Sequence, residues 1–282
     1  MSAKTLLVVE PREGDLAIEA LKAVAPGHGL VVVPCSYVEA LAGGSGVHPV
    51  VRALFYHHGG VTSGLVENTT RLRRRWPKAR LIVQAEWDDI HGDLVLDCHK
   101  AGAYDVLQFA FSRDLGILQA RLEAAIGGQR GLRQIHLSRG SKVFVSTPYA
   151  PPDAKVDDVR RLLERASRKG IAAALRRHEL EVIFADDVTD VRSVAEKICG
   201  LIGDSALLVA NVGLCPEACS LHNPNVYAEI GMGIARGTKL LAVQPHGDPR
   251  RELPQILHHL FPLPYYDLPD LTIQVFEAIS II

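Results

Sequence analysis

Short runs of β-branched and aliphatic residues alternate with amphipathic helical patterns along the whole 282-residue chain. Neighbouring parallel strands must be joined by long crossovers, usually helices, so this alternation is typical of parallel sheets with helices on both faces. The sequence therefore predicts an α/β fold. In the first half the strand-like runs are Leu6–Val9, Leu30–Val33, Val51–Phe55, Arg80–Val83 and Tyr104–Leu107.

A Gly- and Arg-rich stretch at 129–140 interrupts the alternation, which then begins again. At about 150 residues per domain, a chain of this length suits two domains. We predict two doubly wound, flavodoxin-like parallel-sheet domains in tandem, at 1–128 and 141–282, joined by a linker at 129–140. In the second half we predict strands at Lys142–Ser146, Leu180–Phe184, Ala206–Ala210 and Lys239–Gln244, and a final helix at Leu271–Ile281.

Charge and hydropathy narrow the classes of function. Lys and Arg number 31 against 32 Asp and Glu, so no overall charge attracts nucleic acid or an anionic membrane. No apolar run approaches the roughly 18 residues of a membrane helix, and the start lacks the apolar core of a signal peptide. Five cysteines, an odd number, are spread through both halves, which favours reduced thiols. We therefore expect a cytoplasmic protein.

Three segments of the first half resemble a response-regulator receiver domain. They are KTLLVVEPREGD at 4–15, RLIVQA at 80–85 and AGAYDVL at 101–107, and the resemblance covers about 4–126. It implies an acidic pair after the first strand for a divalent cation, an Asp after the third strand as phosphate acceptor, and a Lys after the fifth.

The chain departs from that set at each of these places. Only Glu10 follows the first strand, no Asp occurs between Asp15 and Asp88, and Gln108 follows the fifth strand. We interpret the domain as a pseudo-receiver that is not phosphorylated and that serves protein contact, through homo-oligomerisation or regulation of its neighbour. The alternative is that His57 or His58, after the third strand, accepts phosphate or binds metal, but we expect both to be surface residues.

In the second half, the segment 223–239 predicts a helix that carries a glutamate. Asn223, Pro224 and Asn225 suit a helix start and Gly237 suits its end. At 100° per residue, Val226, Ile230 and Ile234 form a buried stripe. Glu229 lies at the border of that stripe, in a column with Asn225 and Gly233, which is an open place for a ligand. The alternative is a solvated Glu229 on a helix whose glycines only allow close packing.

The same segment, with the strands at 142–146 and 206–210, resembles nucleoside 2-deoxyribosyltransferase-like and TIR-like nucleotide-binding domains over about 141–245. The resemblance implies a nucleotide or nucleoside ligand and cleavage or transfer at an N-glycosidic bond. In such enzymes the helix glutamate attacks or stabilises the anomeric carbon. Carried over, that residue is Glu229, with Asn225 as a possible sugar contact.

Further candidates follow the strand ends, where open α/β sheets bind ligands. Asp186, Asp187 or Tyr149 is a candidate second acid or base, and Asn211 stands where many relatives have Asp. No cofactor is predicted. The loop with Cys215, Cys219 and His222 has three soft ligands, but a zinc site usually needs a fourth, so we expect no metal site. The remaining predicted ligand-binding residues are Thr147, Pro148, Tyr149, Asn223, Asn225 and Gly233.

The sequence leaves three functions open. The first is an N-glycosidic enzyme that the receiver-like domain modulates. The second is a non-catalytic nucleotide sensor or signalling scaffold that acts by association of the receiver-like domain. The third is a structural partner protein.

Overall fold

In the computed structural model the chain forms two compact units, Met1–Gly131 and Leu132–Ile282. Each unit contains a five-stranded parallel sheet flanked by helices. No helix in the described part of the chain is both long and apolar enough to cross a membrane. The residues that the structure describes are 4–11, 16–43, 51–58, 63–85, 92–108, 115–127, 134–148, 158–185, 194–213, 224–246 and 262–282.

The sheet of the first unit has the strand order β2-β1-β3-β4-β5, with every pair parallel. This is the flavodoxin-like order, in which the winding reverses between β1 and β3. The strands are β1 Lys4–Val9, β2 Leu30–Cys35, β3 Val51–His58, β4 Arg80–Ala85 and β5 Asp105–Gln108. The helices are α1 Leu16–Val24, α2 Tyr37–Ala42, α3 Leu65–Arg75, α4 Gly92–Lys100 and α5 Leu115–Gly127, with a 3₁₀ turn at Ala25–His28.

Helices α1 and α5 share one hydrophobic core with the sheet of the first unit. Leu6 and Val8 are two residues apart in β1 and therefore point to the same face. They pack with Phe55 of β3, Leu21 of α1 and Leu122 of α5, and all five are buried.

A buried ion pair joins β5 to α5. Arg121 Nη2 lies 2.9 Å from Asp105 Oδ1, and the two side chains are 3% and 2% exposed. Asp105 Oδ1 also accepts a hydrogen bond from the Val106 N–H at 2.8 Å. The aspartate of the AGAYDVL segment therefore anchors α5 inside the unit.

The second unit repeats the flavodoxin-like order, as β8-β7-β9-β10-β11, again with parallel pairs. The predicted fold class, two such sheets in tandem, is confirmed. The strands are β6 Ile135–Leu137, β7 Lys142–Ser146, β8 Glu181–Ile183, β9 Leu207–Asn211, β10 Lys239–Pro245, β11 Leu263–Tyr265 and β12 Ile279–Ile281. The helices are α6 Asp158–Arg176, α7 Val194–Gly203, α8 Pro224–Arg236 and α9 Leu268–Glu277.

Strands β6 and β12 form a separate parallel pair, in which Ile135 is opposite Ile279 and Leu137 is opposite Ile281. β6 lies inside the segment predicted as a linker. The predicted final helix at Leu271–Ile281 is wrong at both ends. It begins at Leu268, after Asp267 caps it by accepting from the Asp270 N–H at 2.9 Å, and it ends at Glu277. The β-branched residues that follow it favour a strand.

Candidate functional site

The candidate site lies at the switch point of the second sheet, where β7 stands between β8 and β9. Ligands of open α/β sheets bind outside the carboxyl ends of the strands at such a point. Ser146, the last residue of β7, is opposite Ala210 of β9, and Asn211 ends β9. Thr147 and Pro148 follow β7 and are half-buried and buried.

Helix α8 covers one face of this edge. Val226 and Ile230 pack against Ala210 and Val212, as the predicted stripe requires. Gly237, with φ 71°, follows the end of the helix in the left-handed conformation that favours glycine. The third residue of the predicted stripe, Ile234, is 46% exposed, so the prediction that it is buried is wrong.

Gly233 explains how α8 approaches the sheet so closely. A Cβ atom at Gly233 would lie 2.8 Å from Leu208 Cδ2 and 3.7 Å from Ile202 Cγ2. Those two side chains are fully buried in the core beneath α8. The described contacts of Gly233 are therefore packing contacts, and its predicted contact with a ligand stays a prediction.

Glu229 is half-buried on α8, at the border of the buried face. Burial raises the pKa of its carboxyl above the ordinary value, and the nearby Ser146 hydroxyl opposes part of that rise. Ser146 Oγ is itself buried, and no atom of the described residues meets the geometry of a hydrogen bond to it. A carboxyl and a hydroxyl with remaining hydrogen-bonding capacity thus lie together at the switch point.

Asn211 points to the opposite face of the sheet. It follows Ala210, which faces α8, and side chains alternate along a strand. Asn211 is fully buried, and its Oδ1 accepts from the Gly213 N–H at 3.3 Å and from the Tyr265 hydroxyl at 3.2 Å. Because Gly213 N–H can only donate, Oδ1 is the acceptor, and Nδ2 is left with no hydrogen bond among the described residues. The structure therefore does not place the Asn211 amide on the Glu229 face.

Of the other predicted site residues, one is exposed to solvent and the rest lie outside the described residues. Asn225 is exposed in the first turn of α8. The remaining predictions lie outside the described residues, namely Asp186, Asp187, Tyr149, Asn223 and the loop with Cys215, Cys219 and His222. In the part that the structure describes, no group of three or more His, Cys, Asp or Glu could hold a metal ion.

Ser146 and Tyr265 are not among the site residues predicted from the sequence. Ser146 had a usable signal, because it lies two residues after the core residue Phe144 and must share its face. A polar residue at the buried end of a central strand is a candidate for contact with a ligand. Tyr265 had no such signal, since β11 is only three residues long.

The corresponding edge of the first unit carries aromatic and imidazole groups. β3 extends to His58, so Tyr56, His57 and His58 lie within the strand. His57 is 3% exposed, so the prediction that it is a surface residue is wrong, whereas His58 is half-buried. Glu10 is exposed after β1 and has φ 54°, a left-handed conformation that is uncommon for a residue with a side chain.

No family model and no curated protein sequence matches the chain. Among solved structures it is similar to the orphan response regulator HP1043 of H. pylori, at 13% identity and TM-score 0.34 over 44% of this chain and 98% of that one. It is also similar to the CheY-like protein tadZ from Pseudomonas aeruginosa PAO1, at 18% identity and TM-score 0.32 over 45% of this chain and 96% of that one. A third similarity is to full-length FixJ from B. japonicum, at 13% identity and TM-score 0.30 over 82% of this chain and 99% of that one.

The first unit has the flavodoxin-like strand order, which is also the order of CheY, and the second unit has the same order. None of the three similarities supports the deoxyribosyltransferase-like or TIR-like resemblance of the second unit.

Proposed function

We propose that the second unit binds a nucleoside or nucleotide at the β7–β9 edge and cleaves or transfers at its N-ribosyl bond, with Glu229 as the central carboxylate. The single observation that carries the proposal is the half-buried Glu229 carboxyl beside the buried Ser146 hydroxyl. Hydroxyl and carboxyl groups at a switch point suit the hydroxyl-rich ribose.

The raised pKa of Glu229 supports a chemical role. A carboxylate of raised pKa is a better base and nucleophile than an ordinary one, and its charge stabilises an oxocarbenium-like anomeric carbon. In hydrolysis, the bond from the anomeric carbon to the base nitrogen breaks, a water oxygen bonds to that carbon, and the base leaves with a proton. Asp186 or Asp187 remains the proposed second acid or base.

The second candidate function is a non-catalytic nucleotide sensor. It is favoured by the residue that ends β9, which is Asn211 where many of the enzymes that this unit resembles have Asp, because an amide cannot act as a base. In either function the receiver-like unit, which lacks an Asp at the end of β3, would regulate its neighbour by association rather than by phosphorylation.

The test is chromatography of released base after incubation with NAD and a panel of ribo- and deoxyribonucleosides and nucleotides. Wild type, Glu229→Gln and the exposed control Glu181→Gln are compared. Release by wild type and the control, but not by Glu229→Gln, supports the enzyme. Binding without release, weakened by Glu229→Gln, supports the sensor, and neither release nor binding rejects both.

A further inference from the structure

A cavity of about 460 Å³ opens at the carboxyl edge of β1 and β3, the switch point of the first sheet. Its volume lies in the range of small-molecule sites. It is independent of the Glu229 site, because all of the described residues that line it belong to the first unit. The described residues that line it are Glu10, Pro11, Tyr37, Tyr56, His57, His58 and Asn68.

Aromatic rings form one side of this cavity. The Tyr37 and Tyr56 ring centroids are 5.7 Å apart with the planes inclined by 37°, and the His58 ring lies 5.8 Å from Tyr56. The Tyr56 hydroxyl accepts from Asn68 Nδ2 at 3.0 Å and lies 2.8 Å from His58 Nδ1, which holds the Tyr56 ring in place. Burial raises the pKa of both tyrosines, so the rings stay uncharged at neutral pH.

The charge at the cavity is negative. The Glu10 carboxylate is held at the cavity by a hydrogen bond, in which the Tyr37 N–H donates to Oε1 at 2.7 Å. No lysine or arginine is among the described lining residues. Arg71, which lies near the Tyr37 hydroxyl, is in an ion pair with Glu67. An anionic or phosphorylated ligand would therefore find no described lysine or arginine in the cavity.

We propose that this cavity binds an organic ammonium ion against the Tyr37 ring, which Tyr56 supports from behind, with Glu10 as its counter-charge. The negative faces of aromatic rings attract cations within about 6 Å of the centroid, and quaternary ammonium groups are recognised in this way. Tyr37 is the more accessible of the two rings, because it is half-buried whereas Tyr56 is 3% exposed. The receiver-like unit would thus sense a small cation at the edge where a receiver accepts phosphate.

The test is calorimetric titration of the full chain with choline and with 3,3-dimethyl-1-butanol, in which carbon replaces the charged nitrogen. We expect choline to bind about tenfold more tightly, from the usual strength of cation–π contacts. Equal affinity for the two probes overturns the proposal, as does tighter binding of inorganic phosphate or no binding of choline at millimolar concentrations.

Variants test the assignment to these residues. Tyr37→Leu should weaken choline binding about fivefold or more, whereas Tyr37→Phe, which keeps the ring, should stay close to wild type. Glu10→Gln should weaken binding and reduce its dependence on salt. Circular dichroism confirms that each variant is folded. If Tyr37→Leu and Glu10→Gln both fold and bind choline as wild type does, the assignment is wrong.

Discussion

The Ser146 hydroxyl at the end of β7 acts on the Glu229 carboxyl of α8 and opposes the rise in its pKa that burial causes. Removing the hydroxyl in Ser146→Ala should therefore raise the pKa of Glu229 further. Carbon-13 NMR titration of the glutamate carboxyls measures the pKa, with Glu229→Gln to assign the signal. Ser205→Ala, whose hydroxyl donates to the Leu201 carbonyl, is the control and should change nothing. An unchanged pKa in Ser146→Ala contradicts the contact.

Glu229 should also make the stability of the second unit depend on pH. Burial raises its pKa above the ordinary 4.5, so the folded chain binds this proton more tightly than the unfolded chain. The resulting stabilisation is complete below about 4.5 and is lost as pH rises through the folded pKa. Wild type should lose free energy of unfolding relative to Glu229→Gln over that range, in urea titrations at a series of pH values. A difference that is constant, or that changes in the opposite direction, refutes this linkage.

Two glycines of α8 should respond oppositely to alanine. A Cβ at Gly231 meets nothing within 4 Å, so Gly231→Ala should stabilise the second unit by about 1 kcal/mol through helix propensity. A Cβ at Gly233 lies 2.8 Å from the buried Leu208 Cδ2, so Gly233→Ala should destabilise it by about 1–3 kcal/mol. Urea unfolding measures both changes. Equal stabilisation by the two substitutions would show that α8 does not pack this closely on β9.

The Asp105–Arg121 pair should be needed for the first unit to stay folded. Arg121→Leu leaves the Asp105 carboxylate buried without its main counter-charge, and we expect a loss of about 3–5 kcal/mol in the free energy of unfolding. Lys22→Ala removes an ion pair with the same 2.9 Å separation, but the Lys22 and Glu19 side chains are 58% and 59% exposed. That control should cost about 1 kcal/mol or less. Similar losses in both variants would mean that burial does not control the strength of these pairs.

The sheets and the course of α8 could be predicted because long elements carry strong patterns. The buried positions Val226 and Ile230 and the stop at Gly237 follow from helical spacing and glycine conformation. The exposure of Ile234 could not be predicted, because a helical projection shows which residues share a face but not where the underlying sheet ends. Strands β6, β11 and β12 have three residues each and are stabilised by pairing that no local pattern reveals.

The histidines after the third strand illustrate a different limit. His57 and His58 follow an apolar run and therefore resemble the start of a loop, but β3 continues because β4 pairs with it as far as His58–Ala85. A strand covered on both faces shows no alternation that would reveal its end. The Asn211 side chain is a similar case, since its face depends on the register of β9 with β7.

The pairing of β6 with β12 has a consequence for synthesis on the ribosome. β6 is the first element of the second unit and β12 is its last. During translation β6 therefore leaves the ribosome well before β12, its partner strand. Until Ile279–Ile281 has emerged, the N–H and C=O groups of β6 lack their strand partner. A nascent chain that stalls within this unit therefore presents an unpaired strand edge, which is the feature that promotes aggregation.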